Sequence, residues 1–170
     1  MKNHIFSDKH IVLVIHNVRS AHNVGSLLRT ADGAGVSHVF LTGYTPAPPV
    51  DGAIRVTDAE KAIRKTALGA ERSVSWKKYA SIGRVLNQLV SDEYEIVSLE
   101  QHARSIGYEE YHPADRVALI VGNEVLGISQ SVLKRSHVII ELPMFGMKNS
   151  LNVSVAGGIA LYSIAANMKS

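Results

Sequence analysis

Leu142-Pro-Met-Phe-Gly-Met-Lys-Asn-Ser-Leu-Asn-Val-Ser154 joins an apolar run, Val138–Leu142, to a stretch of small and apolar residues at 151–167. The run reads as a buried strand. Residues 143–150 carry Pro143 and Gly146 and read as a loop, and residues 151–167 read as the closing helix. Ser150 and Asn152 then stand where that helix starts. Such a terminus offers unpaired N–H groups and a partial positive charge, which suits an anionic or polar ligand. Capping by Ser150 alone would use one of these groups, and the polar density here exceeds that need.

Working outward, apolar runs alternate with helical patterns. Ile11–Ile15, Val36–Leu41, Tyr94–Leu99 and Val117–Val121 read as strands, with a short strand at Ser73–Trp76. Helices are predicted over His22–Ala34, 58–68, 79–91 and Ser129–Arg135. Asn23 or Ser20 can cap the first of them, and Gly33 or Gly35 can end it. Thr45-Pro-Ala-Pro-Pro49 is a loop, because proline cannot feed a ladder. The alternation predicts an α/β fold with a parallel sheet flanked by helices, as a single domain over 1–170. Ligands in such sheets gather at the carboxyl ends of strands. The polar, glycine-bearing segments Asn17–Gly25, Ser98–Gln101, Gly122–Gly127 and Pro143–Asn152 all fall there.

Two of these segments carry candidate chemistry beside the first. His16-Asn-Val-Arg-Ser-Ala-His-Asn-Val-Gly-Ser-Leu-Leu-Arg29 runs off a strand into a helix. Arg29 is either a plain surface residue or, lying close to Leu27, Leu28 and Ala31 on a helix expected to pack on the sheet, a guanidinium that calls for an anionic partner such as a phosphate. Gly122-Asn-Glu-Val-Leu-Gly127 follows an apolar strand. Glu124 there can either meet a ligand or cap backbone N–H groups. Gly33-Ala-Gly35 ends a helix rather than opening one, so it is no dinucleotide fingerprint. There is no phosphate loop after the first strand, which weakens a flavodoxin-like nucleotide-binding reading. No Gly-x-Ser-x-Gly elbow occurs, and the histidines lack zinc-like spacing.

Composition bounds the rest. The 170 residues are 46% hydrophobic and 19% charged, with no cysteine, so disulfide and thiolate chemistry are excluded. No apolar run is long enough to span a membrane, and the first ten residues lack a signal-peptide core, which makes a cytoplasmic protein the expectation. Residues 55–84 carry eight basic and three acidic residues, a local charge of +5 against −2 for the remainder. With Trp76 and Tyr79 among them, that segment is either a solvated face or a nucleic-acid footprint.

Taken together, the three segments resemble the SpoU/TrmH family of the SPOUT methyltransferases. Asn17, Asn23, Gly25 and Arg29 match its first motif, and Gly122, Glu124 and Gly127 its second. Leu142, Pro143, Met144, Gly146, Ser150, Leu151, Asn152, Val153, Ser154 and Ala156 match its third, with Leu142 standing for isoleucine. The resemblance covers residues 10–167. It implies a C-terminal deep trefoil knot, which pattern alone would never yield. It implies S-adenosylmethionine held by knot loops that map to Leu99, to Gly122, Asn123, Glu124 and Gly127, to Leu142 and Met144, and to Ser150 and Leu151. It further implies a homodimer and methyl transfer to a ribose 2′-hydroxyl of tRNA or rRNA, tRNA being slightly favoured, with no metal. The extra N-terminal substrate-binding domain of many relatives is not expected. The roles carried over are Arg29 on the hydroxyl, Asn23 and Asn152 orienting ribose and arginine, Ser150 on the cofactor, and Glu124 balancing charge or holding Arg29. A non-catalytic RNA-binding or assembly protein on the same fold is the alternative. In the closing helix, Ala156, Gly157 and Gly158 predict close packing, and Leu151, Val155, Ile159 and Tyr162 predict an apolar stripe that meets a partner.

Overall fold

The computed structural model describes residues 10–50 and 52–168. The expectation about the N-terminal stretch falls on residues 1–9, outside the described residues.

β1 (His10–His16) lies at the centre of the sheet, with β2 (His38–Thr42) on one side and β6 (Arg116–Val121) on the other. The order is β3-β2-β1-β6-β4-β7-β5, and every pairing is parallel. A sheet covered on both faces needs strands that are apolar at every position. β1 meets that need by splitting its residues. Ile11, Leu13 and Ile15 face a core with Leu27, Leu28, Ile63, Leu161 and Ile164, whereas Val12 and Val14 face one with Val85, Leu86, Leu89 and Leu133. The first core is covered by α1 (Ala21–Ala34), α2 (Asp58–Ala67), α3 (Ala70–Ser73) and α6 (Val153–Asn167). The second is covered by α4 (Ile82–Ser91) and α5 (Gln130–Leu133).

Local chemistry sets the helix ends. Ser20 caps α1 by accepting from the Asn23 N–H at 3.3 Å, which settles the choice between Ser20 and Asn23. Gly35 ends α1 in the left-handed conformation at φ 75°. Thr57 and Glu60 form a reciprocal capping box at the start of α2. Asn152, not Ser150, caps α6, its side chain accepting from the Ser154 N–H at 2.8 Å.

Two expectations are corrected. The strand expected at Ser73–Trp76 lies later, as β3 (Trp76–Tyr79), and the helix expected from 79 begins at Ile82. Residues 70–73 instead form the turn of α3. The reason is register: β3 pairs Trp76 with Val39 and Tyr79 with Thr42 at the sheet edge, where exposed Lys77 and Lys78 are tolerated. The second is β5 (Ile106–Gly107), a two-residue strand that pairs with β7 (Val138–Glu141). Its apolar content is too short to give a periodic signal. β4 (Glu95–Leu99) lies between β6 and β7, so the chain crosses beyond β4 before α6 returns over β4, β6 and α1.

Candidate active site

A cavity of about 530 Å³ opens where β4, β6 and β7 end. The last residues of those strands, Leu99, Val121 and Glu141, lie on its wall. Gly122, Asn123, Glu124 and Gly127 line it from the segment after β6. Leu142 and Met144 line it from the loop after β7, and Ser150, Leu151 and Asn152 from the approach to α6. Segments spread from residue 99 to residue 156 thus share one wall because parallel strands all deliver their carboxyl ends to the same edge.

Asn123 shapes the middle loop. Its side-chain oxygen accepts from the N–H groups of Val125 and Leu126 at 2.9 and 2.7 Å. Its amide donates to the Asn17 carbonyl and to the Tyr44 hydroxyl, both at 2.9 Å. Asn17 therefore acts through its backbone. It holds a left-handed φ of 57°, and its side chain accepts from the Tyr44 N–H and donates to His16 Nε2. That last bond leaves His16 Nδ1 as the protonated nitrogen, directed at Thr42 Oγ1 at 2.9 Å. Burial, followed by the charge of Lys78, lowers the His16 pKa and keeps the ring neutral.

Glu124 ties this loop to α1. Its carboxylate accepts from the Arg19 N–H at 3.0 Å, the Ser20 N–H at 3.1 Å and the Asn23 amide at 3.1 Å. Asn23 in turn accepts from the Asn152 amide at 3.1 Å. One chain of bonds, Glu124–Asn23–Asn152, therefore connects the three sequence segments. Partial burial pushes the Glu124 pKa up, but hydrogen bonds from the backbone of Arg19, Glu124 itself and Ser20, and from Asn23, outweigh it and hold the carboxyl below its usual range. An anion at the start of α1 also suits the helix dipole. The capping role is thus present. The expectation that Glu124 holds Arg29 is not met, because its oxygens are taken up by the start of α1.

Arg29 stands apart from the cavity. It is exposed, is absent from the lining, and makes no hydrogen bond or ion pair among the described residues. It lies six residues beyond Asn23, about 9 Å along the axis of α1. Among the described residues, none supplies the anionic partner anticipated for it.

Sequence reading missed Glu100, Gln101, Val125 and Leu126, which also line the cavity. Glu100 accepts from the Ile128 N–H at 2.8 Å and from the Gln101 N–H at 3.0 Å, and Gln101 donates to the Asn149 carbonyl at 2.7 Å. An acid immediately after an apolar strand was the available signal for Glu100. A Cβ on Gly127 would lie 2.3 Å from Glu100 Oε2, and its φ is 65°, so glycine is required there twice over.

The SpoU rRNA methylase family matches residues 10–162. The 23S rRNA (guanosine-2′-O-)-methyltransferase RlmB of Salmonella typhi is 32% identical over 155 residues, which are 91% of this chain and 59% of that protein. A crystal structure of an RNA 2′-O ribose methyltransferase superposes with a TM-score of 0.79 at 26% identity, covering 96% of this chain and 58% of that one. The TrmH/SpoU tRNA modifying enzyme of A. aeolicus gives a TM-score of 0.78 at 26% identity, covering 95% and 76%. The fold is that of the trefoil-knotted SPOUT class. The chain belongs to the SpoU methylase family. It spans about three fifths of the length of the curated relatives it matches.

Proposed function

We propose that this protein is an S-adenosylmethionine-dependent methyltransferase acting on a ribose 2′-hydroxyl of RNA. The observation that carries the reading is the bonded chain Glu124–Asn23–Asn152, which ties the first motif segment to the two that line the cavity.

The cavity suits the cofactor. Its volume of about 530 Å³ is within the range of small-molecule sites, and its lining pairs apolar groups (Leu99, Leu126, Leu142, Met144) with a few polar ones (Asn123, Ser150). S-adenosylmethionine supplies, when bound, a sulfonium methyl already activated for transfer. The protein's task is therefore to position a weak nucleophile and stabilise its developing charge. Asn152 and Asn23, fixed by Glu124, orient the ribose. Ser150 and the backbone around Leu142, Met144 and Leu151 grip the cofactor. Arginine stays protonated near neutral pH, so Arg29 stabilises the emerging alkoxide and holds the adjacent phosphate rather than serving as a free base.

Arg29 reaches this chemistry across a dimer. Leu151, Val155, Ile159 and Tyr162 are 41%, 50%, 38% and 54% exposed, an apolar stripe that the other described residues cover only in part. A second copy seated there, beside the exposed face of α1, brings its own Arg29 to the cavity's mouth. Mixing Arg29→Ala with Gly122→Val subunits tests this. Activity that neither variant has alone is expected, and a dead mixture of folded dimers contradicts an arginine supplied by the partner.

The RNA is tRNA in the slightly favoured reading, by likeness to the A. aeolicus enzyme, and rRNA in the other, by likeness to RlmB. Mapping 2′-O-methylation in RNA from cells with and without the gene decides it. Loss of one defined methylated ribose is expected. An unchanged map contradicts the enzymatic reading and favours the non-catalytic one.

A further inference from the structure

A second cavity of about 430 Å³ lies on the far edge of the sheet, away from the methyl-transfer site. It is bounded by Pro49 and Val50 after β2, Arg64 of α2, Glu71 and Arg72 of α3, and Trp76 at the start of β3. Trp76 is half-buried, and its indole N–H is already committed to the Glu71 carbonyl at 2.9 Å, so the ring serves as a surface rather than a donor. The two acids nearby are also committed. The Glu71 carboxylate accepts from the Gly69 N–H at 3.0 Å, and that of Glu60 from Thr57 at 2.6 and 2.9 Å. The two guanidiniums make no hydrogen bond or ion pair among the described residues, although the charge of Arg64 helps hold the Glu60 carboxyl below its usual range. Arg64 Nε is buried with no hydrogen-bond partner, and Arg72 is exposed.

A buried guanidinium N–H without a partner costs free energy unless an acceptor arrives. Two arginines suit a phosphate, and an indole wall suits a base, whose stacking is tolerant of sequence. The cavity is large enough for one nucleotide. Six of its eight lining residues fall within 55–84, the segment with a charge of +5. Resting on the RNA methyltransferase reading, we propose that this cavity holds one unpaired nucleotide of the substrate RNA, its phosphate on Arg64 and Arg72 and its base against Trp76.

Trp76 is the sole tryptophan of the chain, so its fluorescence reports this cavity alone. Titrating the dimer with a short single-stranded oligoribonucleotide should quench it, with adenosine monophosphate at least tenfold weaker. Arg64→Ala and Arg72→Ala should each weaken the oligonucleotide at least tenfold and lower the salt dependence of log Kd by up to about 0.7, the value of the one phosphate they share. Both should raise KM for RNA while leaving kcat and cofactor affinity near wild type. Arg72 is exposed, so its variant keeps the test valid if Arg64→Ala fails to fold. No quenching at RNA concentrations that saturate methylation, or arginine variants that bind as wild type, overturns the cavity's role and leaves the methyltransferase standing. Adenosine monophosphate binding as tightly as the oligonucleotide overturns the assignment to RNA. Quenching without methyl transfer supports the cavity while removing the enzymatic reading.

Discussion

The resemblance gave Glu124 two alternatives, balancing local charge or holding Arg29, and the structure keeps the two residues apart. Glu124 spends its oxygens on Arg19, Ser20 and Asn23, and Arg29 is left exposed. This separation predicts separable defects. Arg29→Ala should bind S-adenosylmethionine as wild type, measured by calorimetry, while turnover falls by about 10² to 10³, the loss expected when one donor to a developing oxyanion is removed. Lost cofactor affinity in that variant would contradict the division of roles. Glu124→Gln should instead weaken the fold in a pH-dependent way. The folded carboxyl titrates below its ordinary 4.5, so its stabilisation is fully present above that value and vanishes as pH falls through the folded pKa. Denaturant melts should separate wild type from Glu124→Gln at neutral pH and converge at low pH. A gap that persists in acid would point to packing rather than charge. At this scale the cavity was well legible: the ten lining positions from Leu99 to Asn152 named from the motifs all reach its wall. What was not legible was the bonding. Hydrogen-bond partners such as Asn123 to Asn17, 106 residues apart, depend on a crossover that no local pattern encodes.

The elements tell two glycines of α6 apart that spacing alone treated alike. A Cβ on Gly157 would stand 2.8 Å from Leu27 Cδ2 and 3.4 Å from Val121 Cγ1, both buried, so α6 lies on α1 and β6 only because that position is bare. The corresponding Cβ on Gly158 would meet Thr30 Cγ2 at an ordinary 3.5 Å. Gly157→Ala should therefore destabilise by about 1–3 kcal/mol through overpacking. Gly158→Ala should be neutral or stabilise by up to about 1 kcal/mol through helix propensity. Denaturant midpoints in the reverse order would contradict this packing. A larger side chain, as in Gly158→Leu, must still displace Thr30. Elements with strong local chemistry were legible, such as β1 with its unbroken apolar run and α1 between Ser20 and Gly35. β3 and β5 were not. Trp76-Lys-Lys-Tyr79 is polar because it forms an edge, and Ile106–Gly107 is a strand only by virtue of β7 beside it.

At the scale of the whole molecule, the described residues leave an apolar stripe uncovered along α6 and the turn before it, and α1 with its exposed Arg29 lies alongside. The proposed catalysis at a subunit seam would account for both. Ile159→Glu should give a monomer in sedimentation with an unchanged circular dichroism spectrum and little methyl transfer. A folded, active monomer would remove the seam from the mechanism. Among the described residues no helix is long and apolar enough to cross a membrane, and no cluster of histidine, aspartate and glutamate is arranged to hold a metal. The central claim is the reaction itself, and product analysis tests it most directly. The protein is incubated with unmodified RNA and S-adenosylmethionine carrying a labelled methyl group, and the RNA is then digested with alkali. A methylated 2′-oxygen cannot attack the neighbouring phosphate, so label is predicted in alkali-resistant dinucleotides, and Arg29→Ala should lose it while still binding the cofactor. Label released in ordinary mononucleotides, marking methylation of a base, would contradict the account.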